Sequence, residues 1–208
     1  VGVRSAVFSK AMRARTVLLW ISFFIMMAAF YFAAGWTPRL LQQSGLSAQQ
    51  GINGGLLFNL GGIVASLGLA ALALFFDKRV LASLAFVATG VTFTLLSLAL
   101  GNGLTLVLLA AGLVGIATGA AAAGLFTIIP DMYPAAVRVT AVGWAAAAGR
   151  LGAIASPVLV GLLLDAGWTP SAVLILFAVP TAMAGLAILG VSGTKRDARV
   201  RPRPQLSA

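Results

Sequence analysis

The chain has 208 residues, 61% of them in the hydrophobic set and 9% charged, against roughly 25% charged in an average soluble domain. This excludes an ordinary water-soluble globule and leaves a polytopic membrane protein, so the net charge of +10 points to membrane topology and not to nucleic acid. Neither Cys nor His occurs, which excludes disulfides, thiolate or imidazole metal sites, and Ser-His-Asp or Cys-His catalysis.

Apolar runs bounded by charges or turn residues predict six spanning helices, at about 16–36, 52–76, 80–100, 104–128, 139–164 and 171–191, each near the ~20 residues that cross a bilayer core. The expected fold class is an all-α membrane protein, a six-transmembrane-helix bundle. Residues 1–15 form a leading segment, 16–191 the transmembrane domain and 192–208 a basic tail. The first run has a basic flank like a signal peptide, but it is longer than an h-region and five more spans follow, so it reads as a retained helix. Along it Phe23 pairs with Phe30, and Phe24 with Tyr31, seven residues apart and so on one face. Such a stripe faces lipid more often than ligand; Tyr31 is the exception, because its hydroxyl prefers a polar site. Trp20, Trp36 and Trp168 fall near predicted helix ends, where an indole suits the headgroup layer.

The second run carries one amide, Asn59, a cavity candidate. It ends at the turn Asp77-Lys78-Arg79. In the fourth run Gly115, Gly119 and Ala123 recur at four-residue spacing, as Gly143 and Ala147 do in the fifth. Such spacing lets helix backbones approach closely. Thr118 is a second polar cavity candidate in the fourth run. Between these runs lie Pro130-Asp131-Met132-Tyr133-Pro134 and, after them, Arg138. Asp131, Arg138 and Asp77 fall on one side of the membrane, where opposite charges can form a latch present in one conformation and broken in another.

The bases set the orientation. The leading segment, the 77–79 turn, the 129–138 loop and the tail together hold twelve Lys and Arg residues, and the opposite loops hold only Arg39. The positive-inside rule therefore places both termini in the cytoplasm and the chain in the inner membrane. Arg150 belongs to neither side. It lies eleven residues into the fifth run, about 16 Å along the axis and near the midplane. An arginine there costs at least about 2.5 to 3.5 kcal/mol on insertion scales, so it must face a wet cavity or a partner. The four acids, Asp77, Asp131, Asp165 and Asp197, all lie outside the apolar cores. Gly143, Ala146 and Ala147 share the face of Arg150 and leave it hollow. A bound organic anion, held bidentately by the guanidinium, answers the need. Water, backbone carbonyls or another polypeptide remain alternatives.

The stretch IIPDMYPAAVRVTAVGWAAAAGRLGAIASPVLVGLLL at 128–164 resembles the C-terminal six helices of the aromatic acid:proton symporters of the major facilitator superfamily. It carries their Pro-acid-x-Tyr-Pro loop, Arg-x-Thr helix entry, Gly-Trp pair and Gly-Arg-x-Gly-x-Ile segment. RTVLLWISFF at 15–24, GWTPRLL at 35–41 and GLLFNLGGIV at 55–64 are similar to the family's seventh helix, following loop and eighth helix. Two positions depart from the pattern. Ala73 stands in place of a signature glycine before a shortened DKRVLAS loop, and Asp131 stands where glutamate is more usual. The resemblance implies helices seven to twelve of a carrier that moves a small organic acid with protons, Arg150 holding the anion. It implies no cofactor and no enzymatic activity. It also implies an N-terminal six-helix half, supplied by the parent chain, a separate polypeptide or a second copy. The alternatives are a truncated, non-transporting membrane module that associates with other carriers, or a superfamily carrier for a different small solute.

Overall fold

The computed structural model describes residues 13–190, with the side chains of Pro130 and Asp131 excepted. Most of the predicted leading segment and all of the predicted tail therefore lie outside the described residues. Among those described, six helices occur and no strand: α1 Arg13–Gln43, α2 Ala48–Leu72, α3 Lys78–Ala99, α4 Leu104–Met132, α5 Ala135–Asp165 and α6 Pro170–Gly190. All six are long and apolar enough to cross a membrane, and the chain is an integral membrane protein.

The helix ends differ from the hydropathy boundaries for local chemical reasons. α2 begins four residues early because Ser47 and Gln50 form a reciprocal capping box. It also stops short, leaving Leu74, Phe75 and Phe76 apolar but non-helical. Asp77 then caps α3, its Oδ1 accepting the N–H groups of Arg79 at 2.9 Å and Val80 at 3.2 Å. α1 runs on through Pro38 to Gln43, a position where proline removes one helix bond and the helix nonetheless continues. α1 and α5 end alike. Gly45 and Gly167 adopt left-handed backbone angles, with φ of 95° and 85°. The next N–H reaches back to Leu41 O and Leu163 O respectively, which satisfies carbonyls the helix leaves unpaired.

α1 packs along α5, α2 along α4, and α3 along both α4 and α6. Taking α1–α3 and α4–α6 as two triplets, the second helix of each lies on the first helix of the other. This internal repeat of packing is invisible in the sequence, where no periodic similarity stands out. Glycine lines the seams. A Cβ on Gly115 or Gly119 would strike the backbone of Phe58 or Gly62, and one on Gly152 would strike the backbone of Phe24. Gly90 and Gly185 play the same part between α3 and α6. The packing role expected of Gly143 is corrected here: open space surrounds it, and the close approach of α5 falls on Gly149 and Gly152 instead.

Aromatic side chains fill the interior. Phe32 stacks on Phe177 with ring centroids 4.3 Å apart, and Phe23, fully buried, meets Phe126 edge-on at 5.2 Å. The lipid-facing expectation therefore fails for Phe23, while Phe30 is half-buried and Phe24 and Tyr31 are exposed. Trp20 likewise does not sit at a helix end. It lies within α1 and stacks on Trp144 of α5 at 5.7 Å. Trp36 also lies inside α1, with the Arg39 guanidinium 5.1 Å over its ring. α2 and α5 are the least covered helices; α2 buries only Gly51, Gly54, Phe58 and Leu69. These two present the bundle's widest uncovered faces.

Candidate functional site

Arg150 sits at the midpoint of α5, and Phe30, Asn59 and Gly119 lie within two residues of the midpoints of α1, α2 and α4. Four helices thus bring these positions to one depth. The seven buried residues of α5, from Val137 to Val160, trace the stripe that faces the bundle. Arg150 is off that stripe and exposed. Among the described residues no side chain or backbone group forms a hydrogen bond or ion pair with its guanidinium. Its immediate neighbours Gly149 and Gly152 are pinned against α1, so the backbone that carries the charge is held while the side chain is free to reach outward.

A groove of about 400 Å³ lies between α1, α2 and α4. Phe30 and Phe58 form its wall, with ring centroids 6.0 Å apart. Gly62 and Gly119 form part of its floor, and Asn59 and Ser66 bring the polar atoms. The Asn59 amide donates to Gly55 O at 2.8 Å, and Ser66 Oγ donates to Gly62 O at 2.8 Å. A larger hollow of about 540 Å³ runs along the start of α1. Among the described residues it is lined by α1 alone, with Arg13 as its cation.

The expected site residues divide. Asn59 lies in the groove. Tyr31 is half exposed and meets Phe30 edge-on at 5.6 Å. Thr118 departs from its expectation: it is fully buried, and its hydroxyl donates to Val114 O at 2.7 Å within its own helix. A threonine in an apolar span satisfies its hydroxyl this way when no other acceptor is near, and the side chain takes no part in the groove. Phe30, Phe58 and Ser66 were not singled out as groove residues. Their only sequence signal was position near a span's centre beside a polar residue.

At the opposite extreme of the bundle, where α1, α3 and α5 begin, Asp77 is occupied in capping α3. Arg138 is half-buried, its Nε buried without a hydrogen-bond partner among the described residues. The Asp131 side chain lies outside the described residues. The expected latch is therefore not formed by any described contact. What joins the loop to the bundle is Tyr133, whose hydroxyl donates to Thr16 Oγ1 at 3.0 Å. Burial raises the Tyr133 pKa, and the Thr16 bond and the Arg15 charge oppose that rise.

Comparison with known proteins identifies close likenesses. The family profile described as Major Facilitator Superfamily matches residues 19–207. The chain is 31% identical to the gallate transporter of Pseudomonas putida over 97% of its length and 44% of the relative's. It is 30% identical to the 4-hydroxybenzoate transporter PcaK of Acinetobacter baylyi, over 90% of the chain and 41% of the relative. The same identity holds to the 3-(3-hydroxy-phenyl)propionate transporter of Escherichia coli, over 95% and 48%. The chain thus spans less than half the length of these relatives.

Proposed function

The chain belongs to the Major Facilitator Superfamily, a family of transporters and not of enzymes, and on that premise we propose that it is the C-terminal six-helix half of a carrier for aromatic acid anions. The carrier works by alternating access, and a second six-helix half or second copy covers the uncovered faces of α2 and α5. The observation that carries this reading is Arg150. A guanidinium at the midpoint of a spanning helix, exposed and without a described partner, needs a polar partner from outside these residues, and an anion supplies one. A carboxylate matches its planar fork bidentately. The aromatic class follows from relatives named for such acids.

Proton coupling needs an ionisable group that can face each side in turn. The described carboxylates with placed side chains, Asp77 and Asp165, lie at helix ends. The coupling group therefore belongs to the other half. By the positive-inside rule the end bearing Arg13, Arg15, Lys78, Arg79 and Arg138 faces the cytoplasm, so both chain ends do too. At that end Asp77, Asp131 and Arg138 tune the balance of inward-open and outward-open states. Tyr31 borders the substrate space beside Phe30.

Uptake of a labelled aromatic acid by the complete carrier, at matched membrane abundance, tests the reading. Arg150→Lys keeps the charge but loses the fork, and Arg150→Ala loses both, so uptake falls in both and further in the second. Parental uptake by Arg150→Ala would sink the proposal.

A further inference from the structure

The groove between α1, α2 and α4 leaves acceptor capacity unfilled at two side chains, Asn59 and Ser66. The Asn59 amide has a fixed orientation. Its partner at 2.8 Å is Gly55 O, a carbonyl that can only accept, so the NH₂ end must face it. Oδ1 is left over, and among the described residues no donor reaches it. Ser66 is similarly committed. Its single hydroxyl hydrogen lies between Gly62 O at 2.8 Å and Gly119 O at 3.2 Å, leaving lone pairs for an incoming group. The rest of the wall is the Phe30–Phe58 pair, tilted at 50°, over a floor of side-chain-free Gly62 and Gly119. A volume of about 400 Å³ is in the range of small-ligand sites.

We infer that this groove seats the aromatic ring of the transported acid, and that Asn59 Oδ1, supported by Ser66, accepts a hydrogen bond from a hydroxyl on that ring. This rests on the carrier reading, in which Arg150 takes the carboxylate. An aromatic ring meets Phe30 and Phe58 in offset or edge-on contact, and the glycine floor lets it approach the helix backbones. A phenolic hydroxyl keeps its proton at neutral pH, its ordinary pKa being about 10, and so supplies a donor for the open Oδ1. A carboxylate has no hydrogen to give Oδ1, so it is the ring hydroxyl and not the charged end of the acid that this oxygen takes. The groove thus discriminates hydroxylated from unhydroxylated aromatic acids, whereas Arg150 binds either.

Isothermal titration of the complete carrier with 4-hydroxybenzoate and with benzoate separates the two contributions. The affinity ratio of the hydroxylated to the plain acid is expected at about five- to tenfold, the worth of one neutral hydrogen bond. It falls toward one in Asn59→Leu and part of the way in Ser66→Ala. Arg150→Ala weakens both probes together and leaves the ratio in place. A parental ratio of one, or a ratio unchanged in both groove variants, overturns the hydroxyl-reading role while the Arg150 result still judges the carrier reading. Failure of the parent to bind either probe overturns both.

Discussion

The hydroxyls of Tyr133 and Thr16 meet at 3.0 Å in a buried site that ties the α4–α5 connection to the first turn of α1. Both residues are almost fully enclosed. The contact joins parts of the chain 117 residues apart, and it holds the short connection between the end of α4, which carries Asp131, and the start of α5, which carries Arg138.

Tyr133→Phe keeps the ring and deletes the donor, so it is expected to cost about 1 kcal/mol at neutral pH. The pH dependence has a definite sign. Because burial raises the folded-state pKa, the folded protein holds this proton more tightly than the unfolded chain does. That contribution is full below the ordinary phenol pKa of about 10 and is lost as pH rises through the raised value. Thermal unfolding in detergent should show an alkaline decline in the parent and a shallower one in Tyr133→Phe. Identical alkaline slopes would show that another group titrates.

The absence of cysteine makes single-cysteine labelling free of background. Arg150→Cys and Asn59→Cys, placed on exposed positions, should react with a membrane-impermeant maleimide at least about tenfold faster than Thr118→Cys, which is enclosed. The margin follows from the ordering of exposure, since a thiolate must be reached by water and reagent to react. Equal rates at positions 118 and 150 would contradict the placement of α4 and α5.

Glycines of similar spacing should behave oppositely. Gly119→Ala puts a methyl group against the Gly62 backbone and is expected to destabilise by about 1 to 3 kcal/mol, as overpacking does. Gly143→Ala enters open space and should be neutral or slightly stabilising through helix propensity. The midpoint of thermal unfolding for the two variants decides between them.

Much of the bundle was legible in the residues. Six apolar runs are six helices, because crossing a bilayer demands both length and hydrophobicity. Helix ends were not, since capping by Ser47 and Asp77 is set by hydrogen bonds that hydropathy does not register. Arg150 stood out because a midplane charge is costly. The burial of Thr118 was not legible, because a hydroxyl looks the same in sequence whether it faces a cavity or its own helix carbonyl. The groove escaped notice for a related reason: Phe30, Phe58 and Ser66 come from separate helices, and only their packing brings them together.

Asp77 can be divided into its two properties. Asp77→Ala removes the cap and should cost about 1 kcal/mol, whereas Asp77→Asn retains an acceptor and costs little. If the charge has a role in switching between states, Asp77→Asn should impair uptake at parental stability. Parental uptake in Asp77→Asn would reduce the residue to a cap.

The glycine seams also decide which parts of the bundle can shift. Where Gly115 lies on Phe58 and Gly119 on Gly62, a slip of one residue along the axis, ~1.5 Å, would bring side chains into space that only bare backbone now occupies. α2 and α4 are interlocked against sliding, as are α1 and α5 at Gly149 and Gly152. The glycine contacts therefore resist axial sliding within each of these two pairs. A ligand spanning the groove on α2 and the arginine on α5 would bridge two such pairs, and so would register any rotation between them as a change in its own fit.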